Sequence, residues 1–398
     1  MFEYLYENFM FISSLFIGYF GLIGSICIFG RKKEKEVREN LRFAALIAAR
    51  NEEECITNSI GSLMRQNYPK ELLDIYVIPN NCTDNTESIA KEHGAKIIEV
   101  ASTVKCKGSA LKVAMDKLEN DYDAFVVFDA DNELNEEFIS SMNKTLGNGY
   151  RVAKSRIQAK NRENSTIATC YDIHFATANQ FLNRARVKIG MSARVIGTGL
   201  AIKTEFLKEI GGFRTDTITE DAEFYAICAS KGEKIGFCED AIAYDEQPLD
   251  FKTSLVQRRR WMSGIMQVFA YKLGDLHEGL SQKRSRVNSF DAMIQLGFCN
   301  IQAMMPFAIL ALYISNPNEF LHSILILSIK NYLSIIIMAM FVMALEKRLK
   351  FSKNIIIGIM FYPVFVFSFI PILTISLFRK TTSWKPIRHT GVKCQEIG

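Results

Sequence analysis

Residues 122–134 have the sequence YDAFVVFDADNEL, in which an apolar run is followed directly by two aspartates. An uninterrupted apolar run of this length is typical of a strand that is buried on both faces of a parallel sheet. Asp129 and Asp131 come where the chain would leave that sheet. The stretch therefore predicts a buried strand whose carboxyl end carries two acidic side chains.

The order of strand, polar turn and helix also occurs before this stretch. Apolar runs predict three earlier strands, over residues 43–48, 74–79 and 95–100, and a helix is predicted over residues 107–118. This βαβα order predicts a doubly wound, mostly parallel α/β sheet, in which ligands bind beyond the carboxyl ends of the strands. The sequence contains neither G-x-G-x-x-G after the first strand nor G-x-x-x-x-G-K-[ST], which argues against a dinucleotide fingerprint and a P-loop.

The composition divides the chain into a soluble part and two apolar ends. Hydrophobic residues make up 48% of the 398 residues although 23% are charged, and the charges concentrate between residues 31 and 290. The net charge of +5 is too small to indicate a nucleic-acid partner. Nine cysteines without C-x-x-C pairs indicate reduced thiols that face a cytosol, rather than a disulfide framework or a zinc site.

The apolar ends predict membrane segments. Residues 9–30 carry no charge and precede Arg31, Lys32 and Lys33, which predicts an anchor with its basic end in the cytoplasm. Three further apolar segments cover residues 291–315, 321–345 and 354–378. The chain is therefore expected to be integral to a plasma membrane, and its isoleucine- and lysine-rich composition favours a bacterial one.

The last apolar segment is expected not to span. A basic tail follows it, and an outside tail would conflict with the preference of basic residues for the cytoplasm. Pro363 and Pro371 are expected to interrupt its helix. We therefore predict an interfacial or re-entrant segment and a cytoplasmic tail; the alternative is a plain fourth span with the tail outside.

The resulting division of the chain has five parts. They are a transmembrane anchor (1–30), a cytoplasmic α/β domain (38–250), an amphipathic interfacial segment (251–289), a membrane region of two spans plus the interfacial or re-entrant segment (290–380), and a cytoplasmic tail (381–398).

The two aspartates that end the fourth strand suit a metal ion. Carboxylates at Asp129 and Asp131 can reach one Mg²⁺ or Mn²⁺, which usually completes its shell with substrate phosphates. A strand-ending turn is the alternative, because aspartate is common there. A second alternative is a haloacid-dehalogenase type of phosphatase with Asp129 as nucleophile, but Glu133 stands where those enzymes usually have Thr or Val.

A second acidic cluster, Thr219-Glu220-Asp221, precedes a predicted helix. Thr219 is expected to cap this helix, and acidic residues in a first turn are favourable. A carboxylate that is fixed at a helix start is also well placed to act as a general base. Capping and catalysis are compatible readings of this cluster.

A basic and aromatic cluster occurs in residues 254–264, SLVQRRRWMSG. If the segment is helical, Gln257, Arg260 and Trp261 share one face. A guanidinium binds phosphate oxygens, and an indole stacks on the apolar face of a sugar. Binding of anionic lipid is the alternative for all three arginines, and it is the expectation for Arg258 and Arg259. The residues that follow are amphipathic enough to lie at a membrane surface.

The ordered set D-x-D, T-E-D and Q-x-x-R-W between membrane segments resembles the membrane-bound family 2 glycosyltransferases. These include the cellulose, chitin, hyaluronan and poly-N-acetylglucosamine synthases, and the resemblance covers about residues 40–270 and extends to the tail. It implies a catalytic domain of GT-A type, a UDP-sugar donor, Mg²⁺ or Mn²⁺, and a glycan or lipid-linked acceptor. The implied activity is inverting transfer that elongates an extracellular polysaccharide, with its export as a further implied activity.

The resemblance also implies roles for individual residues. The segment IAARNEE resembles the first nucleotide loop, and VIPNNCTDNT resembles the second, with Asn80 where an aspartate commonly contacts uracil. The implied nucleotide-binding residues are Ala49, Asn51, Glu52, Asn80, Lys107, Asp129 and Arg260, together with Trp384, Arg388 and His389 of a gating motif, WKPIRHT. The implied acceptor-binding residues are Gly197, Thr198, Gly199, Gln257 and Trp261, the metal ligands are Asp131 and Asp129, and the catalytic residues are Asp221, as the base, and Glu220.

Other functions remain open from the sequence. Few spans are available to enclose a polymer, which favours single additions of a sugar to a lipid acceptor, unless a homodimer supplies further helices. A catalytically silent sensor of nucleotide sugars is a second alternative. A phosphatase of the haloacid-dehalogenase type is the third alternative, and it predicts an aspartyl-phosphate at Asp129.

Overall fold

The computed structural model describes residues 1–29, 35–37, 39–104, 106–350, 352–381 and 390–394. The strands in these ranges are β1 (Phe43–Ala49), β2 (Leu73–Pro79), β3 (Lys96–Ile97), β4 (Ala124–Asp129), β5 (Glu133–Leu134), β6 (Val152–Ala159), β7 (Leu200–Lys203) and β8 (Ile235–Asp245). The helices are α1 (Phe2–Ser25), α2 (Ile56–Met64), α3 (Thr86–Glu92), α4 (Lys107–Leu118), α5 (Phe138–Gly147), α6 (Thr166–Thr177), α7 (Ala185–Lys188), α8 (Thr204–Ile210), α9 (Glu220–Ser230), α10 (Phe251–Ser281), α11 (Arg286–Ala303), α12 (Met305–Ser315), α13 (Pro317–Leu345), α14 (Lys353–Phe367) and α15 (Phe369–Phe378).

The strands form one mixed sheet in the order β3-β2-β1-β4-β7-β6-β8-β5. Strands β3, β2, β1 and β4 are parallel neighbours, and β6 is parallel to β8. Strand β7 is antiparallel to both β4 and β6, so β6 and β8 run in the same direction as β1 to β4. The predicted mostly parallel α/β sheet is confirmed, although the third predicted strand shortens to Lys96–Ile97.

Apolar cores lie on both faces of the sheet because strand side chains alternate between faces. In β1, Ala44 and Leu46 face one core, which includes residues of α4, α9, α10 and α11. Phe43 and Ile47 face the other core, which includes residues of α2, α3 and α5. Burial on both faces explains why the strand sequences are continuous apolar runs.

Within the described residues, three helical segments are long and apolar enough to cross a membrane. They are Phe2–Ile28, Pro317–Leu345 and the joined helices α14 and α15, while α11 and α12 meet at 45° and would add a fourth as one broken span. Helix α13 exposes Leu321, Leu325 and Leu333, as expected of a helix that contacts lipid. In the most apolar 18-residue stretch of each segment, protein buries 39% of the stretch in α14–α15 but only 11% of the stretch in α13.

Helices α14 and α15 pack against the α/β domain. Gly358 allows the close approach of α14 to α6, since a Cβ there would lie 2.4 Å from Cγ2 of Thr169. Asn354 Nδ2, near the start of α14, donates to the carbonyl oxygen of Glu163 at 2.6 Å. Beyond the end of α15, the backbone N–H of Thr381 donates to Ser263 Oγ at 2.8 Å. Both ends of this segment therefore contact the rest of the protein.

The expected interruption by proline is wrong for Pro363, which lies inside α14. The helix breaks instead at Ser368, between α14 and α15. The break is stabilised by Arg258, whose Nη1 donates to the carbonyl oxygen of Phe365 at 2.9 Å and to Ser368 Oγ at 2.6 Å. Pro371 is tolerated because it lies in the first turn of α15, where backbone N–H groups lack intrahelical partners.

Candidate active site

Polar residues meet at one edge of the sheet. Strands β1, β2, β4, β6 and β8 run in one direction, so the residues at their carboxyl ends share an edge. Because β7 runs in the opposite direction, it begins at this edge, and Gly197–Gly199 precede it there. The structure thereby brings the D-x-D loop and the predicted acceptor loop together.

Asp129 forms an ion pair with Lys107, the first residue of α4. Lys107 Nζ lies 2.6 Å from Asp129 Oδ1 and 3.3 Å from Glu220 Oε1. Burial disfavours the charged form of Lys107, but the carboxylates of Asp129 and Glu220 outweigh it and raise the pKa of Lys107. Gly108 permits this arrangement, since a Cβ there would lie 2.2 Å from Thr215 Oγ1.

Glu220 begins α9 beside this pair. Burial raises the pKa of Glu220, and the negative charges of Asp221 and Asp129 raise it further, with Lys107 as the opposing influence. The lysine is therefore shared between two carboxylates that belong to different predicted motifs. This ion pair joins the D-x-D and T-E-D motifs directly.

The D-x-D loop is held by hydrogen bonds through Asn132. Asn132 Oδ1 accepts from the backbone N–H of Asp129 at 3.0 Å and from the hydroxyl of Thr198. Asn132 Nδ2 donates to Asp245 Oδ1 at 2.7 Å. The loop after β4 is thus fixed to the acceptor loop on one side and to the end of β8 on the other.

Asp131 is buried, with 4% of its surface exposed. Its Oδ2 accepts from the backbone N–H of Glu246 at 3.2 Å, and its carbonyl oxygen accepts from Lys160 Nζ at 2.8 Å. These contacts fix the position of Asp131. Of the two aspartates of the D-x-D motif, Asp129 is the more exposed.

Asp129 and Asp131 fit a cation that takes its other ligands from a substrate. Among the described residues, no three His, Cys, Asp or Glu side chains gather into a complete ligand set. Mg²⁺ is usually bound through one or two carboxylates plus substrate phosphates rather than by an all-protein cage. The two aspartates match that type of site in number and in ligand chemistry.

Asp221 contacts the predicted acceptor loop. The backbone N–H of Gly197 donates to Asp221 Oδ2 at 2.6 Å. Gly197 and Gly199 have φ values of +60° and +69°, a left-handed conformation that favours glycine. At Gly199 a Cβ would also lie 1.9 Å from Ser155 Oγ, so the loop packs on β6 at a distance that excludes any side chain.

Thr219 occupies the N-cap position of α9 but does not cap it through its side chain. Its hydroxyl is buried, and its methyl group faces α10, where a Cβ at Gly264 would lie 2.3 Å from Thr219 Cγ2. The capping prediction is therefore wrong for the side chain. Tight packing against α10 fixes the position of the threonine side chain at the start of α9.

The Q-x-x-R-W segment is helical, as predicted, and lies in α10. The ring of Trp261 meets Tyr171 edge to face, with centroids 5.8 Å apart. The lipid-binding expectation is wrong for Arg258, which has no exposed surface. Its guanidinium carbon lies 4.0 Å from the ring centroid of Phe365 and 4.7 Å from that of Phe369, so aromatic faces and the carbonyl oxygen of Phe365 stabilise the buried charge.

The two predicted nucleotide loops are joined at the ends of β1 and β2. The backbone N–H of Asn80 donates to the carbonyl oxygen of Ala49 at 2.8 Å. Asn51, with a φ of 58°, accepts from the backbone N–H of Thr83 through its Oδ1 at 2.8 Å. The backbone N–H of Glu52 donates to the hydroxyl of Thr86 in the second loop at 2.8 Å.

The remaining predicted site residues fall into two groups. Gln257 and Arg260 are partly exposed on α10. Trp384, Arg388 and His389 of the predicted gating motif lie outside the described residues. The last residue of that motif, Thr390, is described, and its backbone N–H donates to Glu246 Oε1 at 2.7 Å.

Lys154 is a site residue that the sequence did not reveal. It lies in β6, is 1% exposed, and donates from Nζ to the carbonyl oxygen of Ser155 at 2.8 Å. Burial lowers the pKa of Lys154 to about 7, against the opposing influence of Asp221, Asp245 and Asp129. Nothing in the strand sequence VAKSRIQA separates this lysine from one on a solvated face.

Lys160 and Glu246 were also missed, although a signal was available for them. Lys160 follows β6 and Glu246 follows β8, so both stand at the carboxyl end of a strand. The rule that located Asn51, Asn80 and Asp129 applies to these positions as well.

Comparison with protein families gives one extended match. The sequence model described as "Glycosyltransferase like family 2" matches residues 41–264, which is more than half of the chain. The match includes the D-x-D and T-E-D motifs and the whole of Q-x-x-R-W.

Two curated relatives are similar over part of their length. The probable glycosyltransferase YdaM of Bacillus subtilis is 27% identical over 267 residues, which cover 64% of this chain and 62% of the relative. The poly-beta-1,6-N-acetyl-D-glucosamine synthase of Staphylococcus epidermidis is 24% identical over 233 residues, or 54% of each chain. The chain thus spans about half of the length of one relative and just under two thirds of the length of the other.

A solved structure shares the fold. The mannosyltransferase PcManGT from Pyrobaculum calidifontis, in complex with GDP-Man and Mn²⁺, superposes with a TM-score of 0.63 at 15% identity. The superposition covers 87% of this chain and 98% of that one. The α/β domain is therefore of GT-A type.

The lowered pKa of Lys154 predicts a pH dependence of stability. Between about pH 7 and the ordinary lysine value near 10.5, the unfolded chain carries a proton on this side chain that the native chain lacks, so native stability rises with pH. Replacement Lys154→Met removes this contribution. The Tm of the wild type minus that of Lys154→Met should increase between pH 7 and pH 9 in detergent.

Lys208→Met is a suitable control, because Lys208 is exposed on α8. Its Tm difference from the wild type should stay constant over the same range. A constant difference for Lys154→Met as well would mean that Lys154 is charged throughout.

Proposed function

The chain belongs to the glycosyltransferase-like family 2, and on that basis we propose that it transfers a sugar from a UDP-sugar donor, with inversion, to the hydroxyl of a growing glycan at a membrane. The observation that carries this proposal is the position of Asp221. Its carboxylate is bound by the Gly197 N–H of the predicted acceptor loop, beside the Lys107–Asp129 ion pair of the predicted donor site. The groups proposed as the base, the acceptor loop and the diphosphate site are therefore adjacent.

The donor binds along the carboxyl ends of β1, β2 and β4. The loops of Ala49–Asn51 and Asn80 contact the nucleoside, and Lys107 and Arg260 bind the diphosphate as cations. Asp131 and Asp129 would hold Mg²⁺ or Mn²⁺, which when bound would neutralise the charge of the leaving diphosphate. The residues of the gating motif, Trp384, Arg388 and His389, complete the nucleotide site in this proposal.

Asp221 acts as the general base. The hydrogen bond from Gly197 holds one carboxylate oxygen and so fixes the orientation of the group. As the acceptor oxygen forms its bond to the anomeric carbon, its proton passes to Asp221, and the bond from that carbon to the diphosphate oxygen breaks. Glu220 retains Lys107 beside the leaving group, and Trp261 with Gln257 supports the terminal sugar of the acceptor.

The hypothesis that the product is a polymer is supported by the relative that is named a poly-beta-1,6-N-acetyl-D-glucosamine synthase. The second candidate is a single addition of a sugar to a lipid acceptor. It is favoured by the small number of candidate spans, since at most four helices of the described chain could cross a membrane. A homodimer would supply further helices to a polymer path.

We further propose that α1, the pair α11–α12 and α13 span the membrane and that α14–α15 lies at its cytoplasmic face. Near its two ends, α14–α15 contacts Glu163 and Ser263, which both belong to the part of the chain between α1 and α11 that is proposed to be cytoplasmic. A spanning helix would separate its ends by the thickness of the hydrocarbon core, about 30 Å. The contact of Thr390 with Glu246 supports the same arrangement.

The donor and product are tested with purified protein in detergent or liposomes. With Mg²⁺ or Mn²⁺, a panel of UDP- and GDP-sugars is expected to give nucleoside-diphosphate release with one UDP-sugar. A product that stays with the aqueous phase at high molecular weight supports the polysaccharide synthase. A product that extracts with lipid supports the single addition, and release from a GDP-sugar alone would contradict the UDP assignment.

Replacement Asp221→Asn is expected to lower kcat by about 10²- to 10⁴-fold, because the amide cannot take the proton of the acceptor. UDP binding, measured by calorimetry, should change little. The matched control is Asp216→Asn, an exposed aspartate in the loop before α9, which should retain activity. Ordinary turnover by Asp221→Asn would remove Asp221 from the role of base.

The membrane arrangement predicts the side on which fused reporters lie. A fluorescent protein that folds only in the cytoplasm should be bright when joined after Gly398 and dark when joined after Asn316. An alkaline phosphatase that is active only outside should give the reverse result. Phosphatase activity after Gly398 would show that α14–α15 spans.

A further inference from the structure

Residues 390–394, here named the strap, return from the membrane region to the α/β domain. The backbone N–H and the hydroxyl of Thr390 both donate to Glu246 Oε1, each at 2.7 Å. The backbone N–H of Cys394 donates to Glu133 Oε1 at 3.0 Å. Two carboxylates, one in β5 and one just after β8, therefore accept hydrogen bonds from the two ends of the strap.

The middle of the strap is held at close range. The carbonyl oxygen of Gly391 accepts from Asn58 Nδ2 at 3.1 Å. Gly391 has a φ of +66°, and a Cβ there would lie 2.2 Å from the carbonyl oxygen of Glu54. Cys394 is 7% exposed. The strap is thus held against the α/β domain by the close approach at Gly391 and by hydrogen bonds at Thr390, Gly391 and Cys394.

Lys160 connects the two receiving carboxylates. Its side chain has no exposed surface, and Nζ lies 3.5 Å from Glu133 Oε1 and 3.4 Å from Glu246 Oε2. Glu133, Lys160 and Glu246 are here named the receiving cluster. One buried ammonium faces two buried carboxylates, so the N–H and O–H donors of the strap help to satisfy oxygens whose burial would otherwise be costly.

The receiving cluster is also bonded to the D-x-D loop. Lys160 Nζ donates to the carbonyl oxygen of Asp131 at 2.8 Å. The backbone N–H of Glu246 donates to Asp131 Oδ2 at 3.2 Å. The same lysine and the same glutamate that face the strap therefore determine the position of the Asp131 backbone and carboxylate.

We propose that the receiving cluster couples docking of the strap to the position of Asp131. Docking satisfies Glu133 and Glu246 and holds Lys160 between them, and Lys160 with the Glu246 amide then fixes Asp131. Lys160 is thus a positioning residue, and the docked strap raises the affinity of the site for a divalent cation. This inference rests on the proposed function, in which Asp131 holds that cation.

Docking is measured first, by the rate at which N-ethylmaleimide modifies Cys394 in the full-length protein, with peptide mass spectrometry to separate this thiol from the others. Replacement Thr390→Val removes the hydroxyl that donates to Glu246, and we expect about tenfold faster modification, equivalent to about 1.4 kcal/mol. Thr390→Ser keeps the hydroxyl and should label like the wild type. Gly391→Ala should increase the rate independently, through its contact with Glu54.

Coupling is measured next, with Mn²⁺ alone as the probe and electron paramagnetic resonance to count free ions. Thr390→Val should weaken Mn²⁺ binding at least about fivefold, and Thr390→Ser should not. In a Lys160→Met background, whose folding is checked by its Tm, Thr390→Val should have no further effect on Mn²⁺ binding.

Equal labelling of Cys394 in Thr390→Val and the wild type would overturn the docking of the strap on Glu246. Faster labelling with unchanged Mn²⁺ affinity would overturn the coupling to Asp131. Absence of Mn²⁺ binding by the wild type would also overturn it. The release of nucleoside diphosphate from sugar donors then decides separately whether the proposed transfer stands.

Discussion

A strand that runs against its neighbours begins at the edge where they end, and the site depends on this constraint. Strand β7 is the antiparallel strand between β4 and β6, and it takes Gly197–Gly199 to the edge that carries Asp129. Were β7 parallel to its neighbours, these glycines would lie at the opposite edge. The contact between Gly197 and Asp221 follows from the strand direction, and so does the hydrogen bond of Thr198 with Asn132.

Lysines make this acidic edge compatible with a folded domain. Lys107 balances Asp129 and Glu220 from α4, and Lys160 balances Glu133 and Glu246 from the end of β6. Carboxylates that are buried without such partners would cost several kcal/mol each or would take up protons. The lysines therefore maintain the geometry of the aspartates while those aspartates remain available to a ligand.

Features with a local sequence pattern could be predicted from the sequence. Features that depend on contacts with residues distant in the sequence could not. The strands at residues 43–48 and 74–79, the D-x-D turn and the helix of Q-x-x-R-W all have local patterns, and the structure has each of them. The direction of β7 could not be predicted, because LAIK is too short to indicate its partners. Arg258 was assigned to lipid because the two rings nearest to its guanidinium, Phe365 and Phe369, lie more than a hundred residues away in the sequence. Lys154 has no local signal at all, since its burial depends on the whole sheet.

The packing of α14–α15 has a consequence for how the protein is made. This segment has the highest mean hydropathy of the three candidate spans, 2.4 against 2.0 for the other two, yet it also has the largest share buried by protein. An insertion machinery that responds to hydropathy would favour placing it in the bilayer. The α/β domain precedes it in the sequence, and domains fold in order as they are synthesised. If α14–α15 lies at the membrane surface, as proposed, the surface of α6 and the guanidinium of Arg258 must be in place when the segment emerges from the ribosome, so that it docks on protein before lipid can capture it.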